Sequence, residues 1–124
     1  MTEIEKLRNR TLAPQLIKAL ESRNIRAQFA ETREEALQMA LDIIPKGARV
    51  GWGCVSSAQE IGLLDAIRTG DYIALDRDKA SSPEEKAAIQ KETLANCDYF
   101  LASANGMSED GVIVNVDGNS NRVA

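Results

Sequence analysis

Strand-type and helix-type signals take turns along this chain, and that alternation most restricts what it can fold into. Residues 48–50, 72–75, 99–102 and 112–116 are short apolar runs of strand length. Between and before them lie helix starts in which Thr or Ser is followed three residues later by Glu: Thr2/Glu5, Thr32/Glu35, Ser57/Glu60 and Ser82/Glu85, the last with Pro83 in the first turn. In such a box the hydroxyl accepts an N–H that the first turn leaves unpaired, and the Glu reaches back in return. Strands separated by helices pair in parallel, because a parallel pair needs a long crossover. The expected fold is therefore α/β, three-layered, with a mainly parallel sheet flanked by helices.

Local signals refine this outline. Pro14 should kink or split the first helix, since proline removes a helical hydrogen bond and crowds the preceding turn. Residues 25–30 alternate as a short strand should. Gly62 is expected to divide the helix after residue 57, and Gly70 to end it. The run at 99–102 is apolar enough for burial on both faces, and Glu109-Asp110-Gly111 reads as a hairpin-type turn.

The stretch Val50-Gly51-Trp52-Gly53-Cys54-Val55-Ser56-Ser57 reads as strand, glycine-rich turn and helix start. Glycine allows a sharp turn and close approach of a ligand, and first-turn N–H groups favour an anion, so a phosphate or carboxylate is the expected guest. An ordinary strand-to-helix turn without a ligand accounts for the same spacing. The third glycine of a dinucleotide fingerprint and the Gly-Lys-Ser/Thr of a nucleotide P-loop are both absent. Ligands of parallel sheets sit beyond the carboxyl ends of the strands. That rule sets Gly51, Gly53, Ser56, Ser57, Asp76, Asn105, Asp117, Asn119 and Arg122 on one rim, with Cys54, Gly118 and Asn121 beside them. For Asp76-Arg77-Asp78 a salt-bridge cluster competes with a chemical role.

Composition removes several classes of function. A net charge of -4 and five aromatic residues (Trp 1, Tyr 2, Phe 2) argue against a nucleic-acid surface. No run of about 18 apolar residues exists, so membrane insertion is not expected and a cytoplasmic setting follows by default. The chain has no histidine, which excludes a Ser-His or Cys-His nucleophile pair and leaves proton transfer to carboxylate, Lys, Tyr, Cys or water. Cys54 and Cys97 stand apart without metal-ligand spacing, so no metal site is expected.

Four motifs in order resemble the lactate-utilisation (LUD) domain family: Gly51-Trp52-Gly53-Cys54-Val55-Ser56-Ser57 with Glu60-Ile61-Gly62-Leu63-Leu64, Leu75-Asp76-Arg77, Glu109-Asp110-Gly111, and Val114-Asn115-Val116-Asp117-Gly118-Asn119-Ser120-Asn121-Arg122-Val123-Ala124. The resemblance covers nearly the whole chain, and residues 1–124 are read as a single, incomplete domain of that kind. It implies a fold similar to ribose-5-phosphate isomerase, glucosamine-6-phosphate deaminase and the CoA transferases, and a chain that stops short of the family's usual C-terminal continuation. Trp52 and Cys54 stand where the family pattern has smaller or variable residues.

The resemblance implies an organic-acid (lactate) utilisation protein that binds a small carboxylate or phosphate at the Gly/Ser loop. Arg122 would clamp the ligand and Asp117 position it. Electrons would pass to a partner carrying iron–sulfur clusters or flavin, with no cofactor in this chain. An isomerase-like or CoA-transferase-like enzyme with Asp117 or Asp76 as base is the alternative, with Glu60 weaker because capping already explains it. A folded fragment, its apolar edge covered in a homo-oligomer, is a third.

Overall fold

The computed structural model describes residues 1–118. Its helices are α1 (Glu3–Ser22), α2 (Arg33–Ile43), α3 (Ser56–Glu60), α4 (Leu63–Thr69) and α5 (Pro83–Asn96), and its strands β1 (Arg49–Trp52), β2 (Ile73–Leu75), β3 (Tyr99–Leu101), β4 (Gly106–Met107) and β5 (Ile113–Val114). The helix starts follow the spacing for a local reason. At α1 the box is complete: Glu5 N–H donates to Thr2 Oγ1 at 3.1 Å and Thr2 N–H to Glu5 Oε2 at 2.7 Å. At α2 and α5 the hydroxyls of Thr32 and Ser82 accept as expected, but each carboxylate reaches one residue further back. Glu35 takes the N–H of Glu31, and Glu85 that of Ser81.

β1, β2 and β3 form one parallel sheet in the order β2-β1-β3, with Val50 opposite Ala74 on one side and Tyr99 on the other. Because side chains alternate along a strand, β1 serves two layers. Val50 and Trp52 face a core of Ile44, Ala48, Val55, Leu63, Leu64 and Ile67, with Leu37, Ala40 and Leu41 of α2 packed against it. Val50 and Ile67 are 0% exposed, and full burial of such a side chain contributes about 1.5–3 kcal/mol. Gly51 faces α5: a Cβ added there would lie 2.2 Å from Thr93 Cγ2. The glycine thus lets α5 approach the central strand at this point, and Thr93 is itself buried, its hydroxyl donating to Ile89 O at 2.8 Å.

Five expectations are corrected. Residues 25–30 form no strand; Ile25 and Phe29 stay exposed, and nothing among the described residues pairs with them. Pro14 does not divide α1, which runs continuously through it. At α3 the turn is complete by Val55, which occupies the cap position without a side-chain hydrogen bond, so Ser57 is already helical and Glu60 sits 3.8 Å from Arg33. β3 is half-buried because it is an edge of the sheet.

The fifth correction concerns residues 112–116, which do not join the parallel sheet. Ile113–Val114 pairs antiparallel with Gly106–Met107, forming a separate hairpin. Its turn is held by Gly111 at φ +84, in the left-handed region, where the Gly111 N–H donates to Ser108 O. That glycine abuts α1: an added Cβ would lie 3.0 Å from the Ala19 carbonyl carbon. Gly62, at φ +83, does separate α3 from α4 as its position suggests, and Gly70 closes α4.

Two outcomes follow. Gly51→Ala is expected to cost about 1–3 kcal/mol in urea denaturation by overpacking, with most of it recovered in the Gly51→Ala/Thr93→Ala double variant. Hydrogen bonds from the Ser81 hydroxyl and N–H hold the Glu85 carboxyl below its ordinary 4.5. A depressed carboxylate adds stability above its unfolded pKa that is lost as pH falls through the folded one. Glu85→Gln should therefore flatten the fall in melting temperature below about pH 5, measured against the parent chain.

Candidate functional site

The carboxyl ends of β1, β2 and β3 converge, and hydrogen bonds between the segments that leave them fix this end of the sheet. Gly53 N–H donates to Leu101 O at 3.1 Å, and Ser103 N–H to Cys54 O at 3.2 Å. The loop 53–57 therefore rises beside the segment after β3. Gly51 and Gly53 are buried, Cys54 is half-buried, and Ser56 and Ser57 are exposed in the first turn of α3. Arg77, just beyond β2, meets the same loop: its Nη2 lies 3.9 Å from Cys54 Sγ.

Asn105 lies further along, between β3 and β4. It is exposed, and its Oδ1 accepts the Val116 N–H at 2.8 Å while its own N–H donates to Val114 O at 3.0 Å. Its side chain thus ties the exit of β5 back to the segment after β3. Asp117 is half-buried and Gly118 exposed. Asn119, Asn121 and Arg122 lie outside the described residues.

Asp76 is the most firmly held of the candidates. Its side chain is 8% exposed and receives Arg68 in a two-pronged contact, Nε to Oδ2 at 2.6 Å and Nη2 to Oδ1 at 3.3 Å. Oδ1 also accepts the Asp78 N–H at 3.0 Å, which caps the single 3₁₀ turn Arg77–Lys79. Arg68 reaches Asp78 at 3.3 Å and Asp65 at 3.4 Å as well, and its guanidinium stacks 5.3 Å from the Trp52 ring centre. Trp52 Nε1 completes the set by donating to Asp78 Oδ2 at 2.9 Å. The hydrogen bond to Asp76 raises the Arg68 guanidinium above its ordinary value, ahead of the opposing effect of burial. To act as a base, Asp76 would first have to release Arg68.

The remaining chemistry is sparse. Among the described residues no three of His, Cys, Asp and Glu are grouped to hold a metal ion. Cys54 and Cys97 form no disulfide, and burial pushes the Cys97 thiol up, which lowers its thiolate fraction at neutral pH. What the converging strand ends offer is hydrogen-bond donors: first-turn N–H groups, two serine hydroxyls and a guanidinium. Arg77 escaped the sequence-based reading as a site residue, because the pattern Asp-Arg-Asp does not reveal which arginine those aspartates pair with.

Arg68→Ala should lower stability by roughly 3 kcal/mol, because it leaves the Asp76 carboxylate buried and unpaired. Trp52 is the one tryptophan in the chain, so its emission should shift to the red in the folded variant as the covering guanidinium goes.

Comparison with curated proteins and with solved structures found no match. A family model described as the LUD domain matches residues 13–124, from the middle of α1 through the sheet, the loop 53–57 and the hairpin. With most of its length covered by that model, the chain belongs to the LUD domain family.

Proposed function

We propose that this LUD-domain protein serves organic-acid utilisation, lactate being the substrate the family is named for, by binding a small carboxylate or phosphate at the loop 53–57. The observation that carries this reading is the meeting of three parallel strand ends around a loop with exposed Ser56 and Ser57 in a helical first turn. Open α/β sheets take ligands at this end, where backbone amides have no strand partner left. Ser56 and Ser57 add hydroxyl donors, Gly53 and Cys54 shape the turn, and Asn105, Asp117 and Gly118 form the side reached from β5.

The proposal extends to what surrounds the site. Asn119, Asn121 and Arg122 complete the binding set from the C-terminal segment, and Asp117 orients the guest. A single domain spans residues 1–124, similar in fold to the ribose-5-phosphate isomerase and CoA-transferase group. Electrons leave through a cytoplasmic partner carrying iron–sulfur clusters or flavin.

Thermal-shift titration with lactate and with inorganic phosphate, at constant ionic strength against chloride, tests the binding step. A ligand present at a hundred times its dissociation constant stabilises by about 2.7 kcal/mol, which in a domain of this size is a shift of several degrees. Ser56→Ala/Ser57→Ala should reduce that shift without lowering the ligand-free melting temperature by more than a degree or so. A melting temperature indifferent to both anions would end the proposal.

A further inference from the structure

Two arginines lie near the end of β2, and they are treated very differently. Arg68 is surrounded by three carboxylates at 2.6–3.4 Å, and Trp52 lies under it. Arg77 is the more deeply buried of the two, its side chain 14% exposed against 20% for Arg68. Among the described residues its one carboxylate neighbour is Asp78, with Oδ1 3.9 Å from Nε, a loose ion pair beyond hydrogen-bond reach. The buried Nε–H finds no hydrogen-bond partner among the described residues. The contact made by Nη2 is with a thiol sulfur, a weak acceptor, at 3.9 Å.

A guanidinium keeps its charge at any physiological pH and brings five N–H donors. Burying such a group is costly unless acceptors replace the water it loses. Among the described residues the neighbouring carboxylates are mostly engaged elsewhere, since both Asp76 oxygens go to Arg68 and Asp78 Oδ2 is shared between Arg68 and Trp52, leaving Asp78 Oδ1 at 3.9 Å. A buried donor left unmatched in an otherwise satisfied network asks for an acceptor from outside the chain. Its contact with Cys54 puts the guanidinium against the loop 53–57.

We infer that Arg77 is the cation that recognises the oxyanion at this loop, the ligand supplying the oxygen acceptors that the chain withholds. The inference rests on the binding reading above and deepens it by naming a charged anchor among the described residues. The ligand class is an anion with two neighbouring oxygens in one plane, as in a carboxylate or one face of a phosphate, because the guanidinium fork matches that spacing. Arg68 supports the site indirectly: by occupying Asp76 and Asp78 Oδ2 it leaves Arg77 only the loose 3.9 Å approach of Asp78 Oδ1.

Arg77→Met and Arg77→Lys test this with lactate and inorganic phosphate as the probes, read by melting temperature and by isothermal titration calorimetry. In Arg77→Met the ligand-free melting temperature should hold or rise, because an ill-matched buried charge is gone, while the anion-induced shift disappears. Arg77→Lys keeps the charge but loses the planar fork, so anion affinity should fall at least about tenfold. An anion response in Arg77→Met equal to that of the parent chain overturns the inference and leaves the loop reading intact. So does a fall in ligand-free stability in both variants with affinity unchanged in Arg77→Lys, which is the behaviour of a structural arginine. A parent chain that ignores both anions overturns the loop reading and this inference together.

Discussion

The clasp of Arg68 on Asp76 is the interaction on which the geometry at the carboxyl end of this sheet depends. It joins the last turn of α4 to the exit of β2, two places that the chain itself connects through Gly70, a short turn and the length of β2. With Asp76 fixed, its Oδ1 caps the 3₁₀ turn that follows, and that turn decides where Arg77 and Asp78 stand. Trp52, at the carboxyl end of the central strand, is held by the same group of charges, its Nε1 edge by Asp78 and its ring face by Arg68. Two strand ends are thereby locked together by side chains at the point where ladder hydrogen bonds run out. Partial burial makes such a clasp count, since an exposed pair of the same geometry would be worth little.

The two faces of β1 divide the labour differently. On one, Val50 and Trp52 anchor an apolar core shared with α2 and α4; on the other, Gly51 gives up its side chain so that Thr93 can come close. The glycine spacing that drew attention as a ligand signature therefore has separate causes at its two positions. Gly51 answers to α5. Gly53 sits where the strand's last backbone donor turns to β3, at the base of the loop.

Much of this was legible in the residues, and what was not has identifiable reasons. Capping chemistry is local, so Thr2, Thr32 and Ser82 announced their helices; Ser57 misled because the cap falls two residues earlier, at Val55, than the spacing implies. The parallel sheet followed from alternation. Residues 25–30 and 112–116 carried strand patterns that only tertiary partners could confirm; one found no partner among the described residues, and the other found β4. At the site, the strand ends were predictable from topology, but the pairing within Asp76-Arg77-Asp78 was not. Arg68, eight residues upstream of Asp76, had to fold back across α4 and β2 before its claim on that aspartate could be seen.

The hairpin seated on α1 closes a very long loop. Gly111 rests on Ala19, and Arg23 Nε lies 3.4 Å from Asp110 O, groups 87 residues apart in sequence. Closing so large a ring costs only slightly more entropy than closing one half its size, so modest contacts suffice once everything between has condensed. The order of assembly follows: β1, β2 and β3 with their helices can come together through nearer neighbours, whereas the hairpin must wait for the beginning of the chain. On a ribosome, α1 would stand without this companion until the hairpin residues 106–114 had left the tunnel.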